Sequence, residues 1–108
     1  MEISIDDREY MERQIQLVRE IVGSVYTRLR MAGTPPEQAR KLTTEISFDV
    51  CSILDGSLVM YCGQKRLAPA LMFADDPDYT KFLSVSGGHS WTHEYVHGME
   101  SKIIERKA

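Results

Sequence analysis

Ala32-Gly33-Thr34-Pro35-Pro36-Glu37 divides the first half of this chain into two helices. Ala32-Gly33 stops one helix, because glycine at the residue after a helix adopts the left-handed conformation that other residues resist. Thr34-Pro35-Pro36-Glu37 starts the next. Thr34 fits the N-cap, Pro35 fits a first turn where its missing N–H is harmless, and Glu37 completes a capping box. With only a few residues between them, the helices are expected to fold back as an antiparallel hairpin.

Upstream of the break, Met11, Ile15, Val18, Val22, Val25 and Leu29 follow a four-three spacing, and Tyr10, Leu17, Ile21 and Tyr26 broaden the stripe. Asp6 or Asp7 supplies the N-cap, and Met1 to Ile5 reads as a short strand or a loose tail. Charged residues fill the other side, so a core helix that covers a sheet is preferred to a dimer seam. Downstream, Ala39, Leu42, Ile46, Val50 and Ile53 give the expected buried stripe, with Phe48, Cys51 and Leu54 beside it. Asp55-Gly56 ends this second helix, with Gly56 as the left-handed cap.

The second half alternates strands and turns. Leu58 to Cys62, Leu67 to Ala74 and Tyr79 to Val85 read as three strands, separated by Gly63-Gln64-Lys65-Arg66 and Asp75-Asp76-Pro77-Asp78. Tight turns imply an antiparallel meander, with Pro69 at an edge or a bulge. Ser86-Gly87-Gly88 breaks the pattern. Ser90 is then the expected cap of a last helix whose buried stripe is Trp91, Tyr95, Met99 and Ile103, with Val96 at its margin. The fold expected over residues 1–108 is one α+β domain. An antiparallel helical hairpin packs on a small three-stranded antiparallel sheet and is closed by a C-terminal helix.

Composition narrows the functions. Of 108 residues 43% are hydrophobic and 27% charged, which suits a folded globular domain. The formal net charge of -3 argues against a nucleic-acid partner. No run approaches the ~18 apolar residues of a membrane span, and the acidic N-terminal stretch does not read as a signal peptide, so the expected compartment is the cytoplasm. Cys51 and Cys62 are isolated thiols without CxxC spacing. Both are read as reduced, Cys51 as a small buried hydrophobe.

Chemistry is suggested at one place. His89, His93 and His97 are the only histidines, and the last two frame His93-Glu94-Tyr95-Val96-His97. Ring side chains four apart share a helical face, so His93 and His97 are candidate zinc ligands and Glu94 the candidate general base for a metal-bound water. With Trp91 and Thr92 before it and Gly98-Met99 after it, this string resembles the zincin metallopeptidases over about ten residues. That resemblance implies zinc as cofactor and hydrolysis as activity. The string departs from the family downstream of its second histidine. The eleven residues after His97 read as continuing helix, and no His-x-x-Gly-x-x-His continuation is present. Glu100 is two turns from His93, so Asp75, Asp76, Asp78 or a second subunit would supply the third ligand.

The plainer reading makes Glu94 and His97 an ordinary i, i+3 pair, with His93 and Glu100 solvated and His89 just before the cap. Asp75, Asp76 and Asp78 lack the spacing of a calcium loop. The preferred function is a non-enzymatic adaptor, inhibitor or immunity-type binding protein with no resident cofactor. It would engage a protein partner or a second copy through an apolar helix face. The alternative is a minimal zinc-dependent hydrolase built on His93, Glu94 and His97.

Overall fold

The computed structural model describes residues 1–74, 79–88, 90–99 and 102. Strand β1 (Glu2–Ile5) leads into helix α1 (Asp7–Met31) and helix α2 (Pro36–Leu54). Strands β2 (Met60–Cys62), β3 (Lys65–Leu67), β4 (Phe73–Ala74) and β5 (Lys81–Ser84) follow. Helix α3 opens with a 3-10 turn at Thr92–Tyr95 and is helical over residues 96–99. The fold is α+β, as expected.

The joint between the first two helices is a complete Schellman closure. The Gly33 amide donates to the Arg30 carbonyl and the Thr34 amide to the Leu29 carbonyl, both at 3.0 Å, with Gly33 at φ +90°. Thr34 therefore belongs to the end of α1. Pro35 becomes the N-cap of α2, no side chain caps that helix, and the expected box between Thr34 and Glu37 does not form. At the start of α1, Asp6 is the N-cap and accepts from the Glu9 amide at 3.0 Å. Gly56, at φ +74°, closes α2 as expected.

The helices are antiparallel. Tyr26 of α1 packs with Ala39 of α2, while Val18 and Val22 pack with Cys51. Each helix buries a row at spacing four: Tyr10, Gln14, Val18, Val22 and Tyr26 on α1, and Ala39, Thr43, Ser47 and Cys51 on α2. On α2 this corrects the expected stripe. Of its aliphatic side chains, Ile46, Val50 and Ile53 are about two-fifths exposed, while Leu42 and Leu54 are half-buried. Small residues let two helix backbones approach closely, and the bulky flank is left outside. On α1, Met11 is likewise exposed, and Ile15, Val25 and Leu29 are half-buried.

Val96 and Met99 of α3 fill the groove between α1 and α2 and complete the main core with Val18, Val22 and Cys51. Fully burying an aliphatic side chain of this kind contributes about 1.5–3 kcal/mol. Trp91, expected in the buried stripe of this helix, is 45% exposed, and Thr92 takes the inward place. Trp91 precedes the helix, and its amide is held by the buried Gln14 side chain at 2.7 Å. Ile103 lies outside the described residues.

The sheet differs from the expected meander. Strand β5 is central, with β1 parallel on one side (Glu2 opposite Lys81, Ile5 opposite Ser84) and β4 antiparallel on the other (Phe73 opposite Leu83). Strands β2 and β3 form a separate antiparallel ribbon around Gly63-Gln64. Leu67 to Ala74 is not one strand, because Pro69 has no N–H for a ladder and falls between β3 and β4. The N-terminal segment takes the third place in the sheet. Tyr10 ties α1 to it, donating its hydroxyl to the Leu71 carbonyl at 2.6 Å and meeting Phe73 edge-on at 5.3 Å. The Asp7 carboxylate accepts from the Ser86 amide and hydroxyl at 2.7–2.8 Å, beyond the end of β5.

Candidate functional site around Asp55 and His93

A helix leaves its first amides without intrahelical partners. In α3 those of Thr92 and His93 point at Asp55, which stands at the end of α2. The Asp55 side chain is fully buried. Its Oδ1 accepts from the Ser90 hydroxyl (2.5 Å), the Thr92 amide (2.9 Å) and the Thr92 hydroxyl (2.6 Å). Its Oδ2 accepts from the His93 amide (2.8 Å) and meets His93 Nδ1. Asp55 thus does, from across the fold, what a local N-cap does. Ser90, the expected cap, donates into the same carboxylate instead.

Burial raises the pKa of a carboxyl group. At Asp55 the His93 amide, the Ser90 and Thr92 hydroxyls and the His93 ring outweigh that effect and hold it below its ordinary 3.8. The retained negative charge also favours the N-terminal end of a helix dipole.

Contact with a carboxylate oxygen requires the hydrogen of the His93 ring on Nδ1, which leaves Nε2 for a second partner. His93 lies in a groove with Phe48, Asp49, Ser52, Ile53, Ser57 and Leu58. A neighbouring recess is lined by Thr44, Glu45, Phe48, Asp49 and His97. Phe48 joins the two, with ring centres 5.6 Å from His93 and 6.0 Å from His97. The structure therefore brings His93 and His97 to one side of α2, around one aromatic ring. Their settings differ: His93 is half-buried and committed to Asp55, whereas His97 and Glu94 are exposed.

Among the described residues, no three His, Cys, Asp or Glu side chains gather to hold a metal ion. His89, Asp75, Asp76, Asp78 and Glu100, the other side chains considered as ligands or neighbours, lie outside the described residues. Cys51 is a free, buried cysteine. Burial pushes its thiol up to about 11, Asp55 adds to the effect, and the Thr92 hydroxyl only partly offsets it. No described helix is long and apolar enough to cross a membrane.

A second surface emerges that sequence periodicity did not reveal. Ile46, Val50 and Ile53 stand exposed along one flank of α2, and Leu58, Val59, Met60 and Tyr61 continue the exposed apolar run into the ribbon. Ile53 and Leu58 line the same groove as His93, so the histidine side of α2 and this apolar run meet at the end of the helix. The signal that bears on it is the row of small residues Ala39, Thr43, Ser47 and Cys51, which competes with the aliphatic row for the buried side.

Comparison of the chain with protein-family models, with curated proteins and with solved structures finds no match in any of the three.

Proposed function

We propose that this chain is a non-enzymatic binding module of the adaptor or inhibitor (immunity-type) kind, acting in the cytoplasm on a protein partner. The observation that carries the reading is the apolar run on α2 and its continuation. Ile46, Val50 and Ile53 are 37–42% exposed, and Leu58, Val59 and Tyr61 are 51–63% exposed. Ile53 and Leu58 line one groove, and contiguous apolar surface marks interaction sites. The site chemistry supports the same reading. The buried Asp55 carboxylate beside His93 holds α3 in place, and Glu94 stands in open solvent.

The test is photo-crosslinking in the native cytoplasm with a benzophenone side chain at position 46, 50 or 53, and at exposed Glu20 of α1 as control. The expected result is one defined adduct from the α2 positions, absent at position 20 and, for the probes at 46 and 53, lost in the Val50→Asp background. Equal labelling at all four positions overturns the reading.

A second reading, a zinc-dependent hydrolase using His93, Glu94 and His97, is favoured by one observation. A carboxylate on Nδ1 is how metal-binding histidines are commonly oriented. Elemental analysis of untagged protein beside His97→Ala decides it. Near-stoichiometric zinc that is lost in the variant supports this reading. Absence of metal, with zinc leaving the melting temperature unchanged, removes it.

A further inference from the structure

We infer that the β2 edge of the ribbon is a pairing site for a second copy of this chain, giving a two-fold sheet of order β3-β2-β2-β3. This rests on the binding-module reading and names its occupant. Strands β2 and β3 pair with each other and, among the described residues, with no other strand. All six of their residues are exposed. A lone two-stranded ribbon is marginal in water, and a third strand is what such a ribbon lacks. A free strand edge is also a template for pairing with another chain.

The two edges are not equivalent. β3 carries Lys65 and Arg66 and runs towards Pro69, features that blunt an edge. β2 carries nothing of the kind, and from Gly56 to Gln64 there is no charged residue and no proline. Each copy bears a net charge of -3, so copies repel except where charge is absent, and this stretch meets its own image without conflict. A two-fold axis at Met60 pairs all of Leu58 to Cys62. It sets Val59 against the partner's Tyr61, a β-branched–aromatic pair of the stabilising kind.

Leu58, Val59, Met60 and Tyr61 are 37–63% exposed, apolar surface that pairing across the β2 edge would partly cover.

In the register of this ribbon, Cys62 and Lys65 flank a two-residue turn and form a hydrogen-bonded pair. The Val59 and Tyr61 amides therefore face the open edge. Val59→Pro removes one outward N–H and leaves the β2–β3 ladder intact. The experiment is sedimentation velocity of the full chain at micromolar to high micromolar concentration, for wild type, Val59→Pro and Val50→Asp. It is joined by mild oxidation of Met60→Cys and Leu67→Cys, each in a Cys62→Ser background.

The expected results are a wild-type dimer, a Val59→Pro monomer with unchanged circular dichroism, and an interchain disulfide at position 60 but not at 67. A wild-type monomer throughout, or a dimer indifferent to Val59→Pro, overturns the inference. A dimer broken by Val50→Asp but not by Val59→Pro also overturns it, while the α2 flank keeps its role as the binding surface. A monomer that still gives the position-50 photoadduct with a different protein separates the two proposals in the same way.

Discussion

Asp55 and His93 are 38 residues apart and joined twice, through the His93 amide at 2.8 Å and through ring Nδ1, both onto the same carboxylate oxygen. Ser90 and Thr92 complete the grip on the other oxygen. The end of α2 and the start of α3 are thereby one structural unit, and the strongest predictions concern it.

Removing the carboxylate leaves buried donors without acceptors. Asp55→Ala is expected to cost about 2–4 kcal/mol, combining a lost cap with unpaired buried donors. Asp55→Asn is expected to cost less, because its carbonyl still serves the donors now on Oδ1 while its NH2 faces those on Oδ2. Urea unfolding measures both. A loss under about 0.5 kcal/mol for Asp55→Ala, the size of an ordinary surface substitution, would sink the assignment.

The same carboxylate makes stability acid-sensitive. Its folded pKa lies below the ordinary 3.8. The contribution is therefore complete above the unfolded value and is lost as pH falls below it towards the folded one. The stability gap between wild type and Asp55→Asn should be constant near neutrality and narrow as pH drops through the carboxylate range. Asp7, lowered by the Ser86 hydroxyl and amide, acts in the same direction, so Ser86→Ala serves as background. A gap independent of pH down to acid unfolding contradicts the account.

Thr43 and Ser47 sit in the α1–α2 seam with hydroxyl oxygens that have no hydrogen-bond partner among the described residues. Ser47→Ala and Thr43→Val remove an unmet polar atom with little change of shape. They should be neutral or stabilising by up to about 1 kcal/mol. Ser47→Leu adds bulk where the backbones are close and should cost about 1–3 kcal/mol. Thermal unfolding of the three variants is the check, and a destabilised Ser47→Ala would indicate a hydrogen bond at that site.

The thiols divide cleanly. Cys62 is exposed and Cys51 is buried with its thiol pushed up to about 11. Iodoacetamide followed by mass spectrometry should modify Cys62 in native protein and Cys51 only once the chain unfolds. Equal labelling rates without denaturant would mean that the α1–α2–α3 core opens readily.

The helical hairpin was legible because its punctuation is local. Ala32-Gly33 and Asp55-Gly56 end helices by conformations that glycine alone adopts easily, and the intervening apolar periodicity is long. The buried side of α2 was misread for a physical reason. Hydropathy ranks Ile46, Val50 and Ile53 above Thr43 and Ser47, but close packing of two helices selects for small side chains. The parallel pairing of β1 with β5 left no trace, since strands of four residues carry little pattern and the two strands are separated in sequence by both long helices and the ribbon. Around His93, the four-residue spacing is consistent with His93 and His97 both lying against Phe48, but it says nothing of what holds His93. Asp55-Gly56 is fully explained as a helix ending, so nothing nearby marks Asp55 as the cap of another helix.

The late arrival of Val96 and Met99 has a consequence for how the chain assembles. The helical hairpin is built from neighbours in sequence, whereas its third wall comes from residues more than forty positions beyond Cys51. Contacts of short separation form before those that close long loops. Substitutions between α1 and α2 should therefore slow folding, while Val96→Ala should chiefly accelerate unfolding in a chevron. On a ribosome the same geometry means that Val18, Val22 and Cys51 emerge first, and the groove between α1 and α2 stays an open apolar trough until Val96 and Met99 follow.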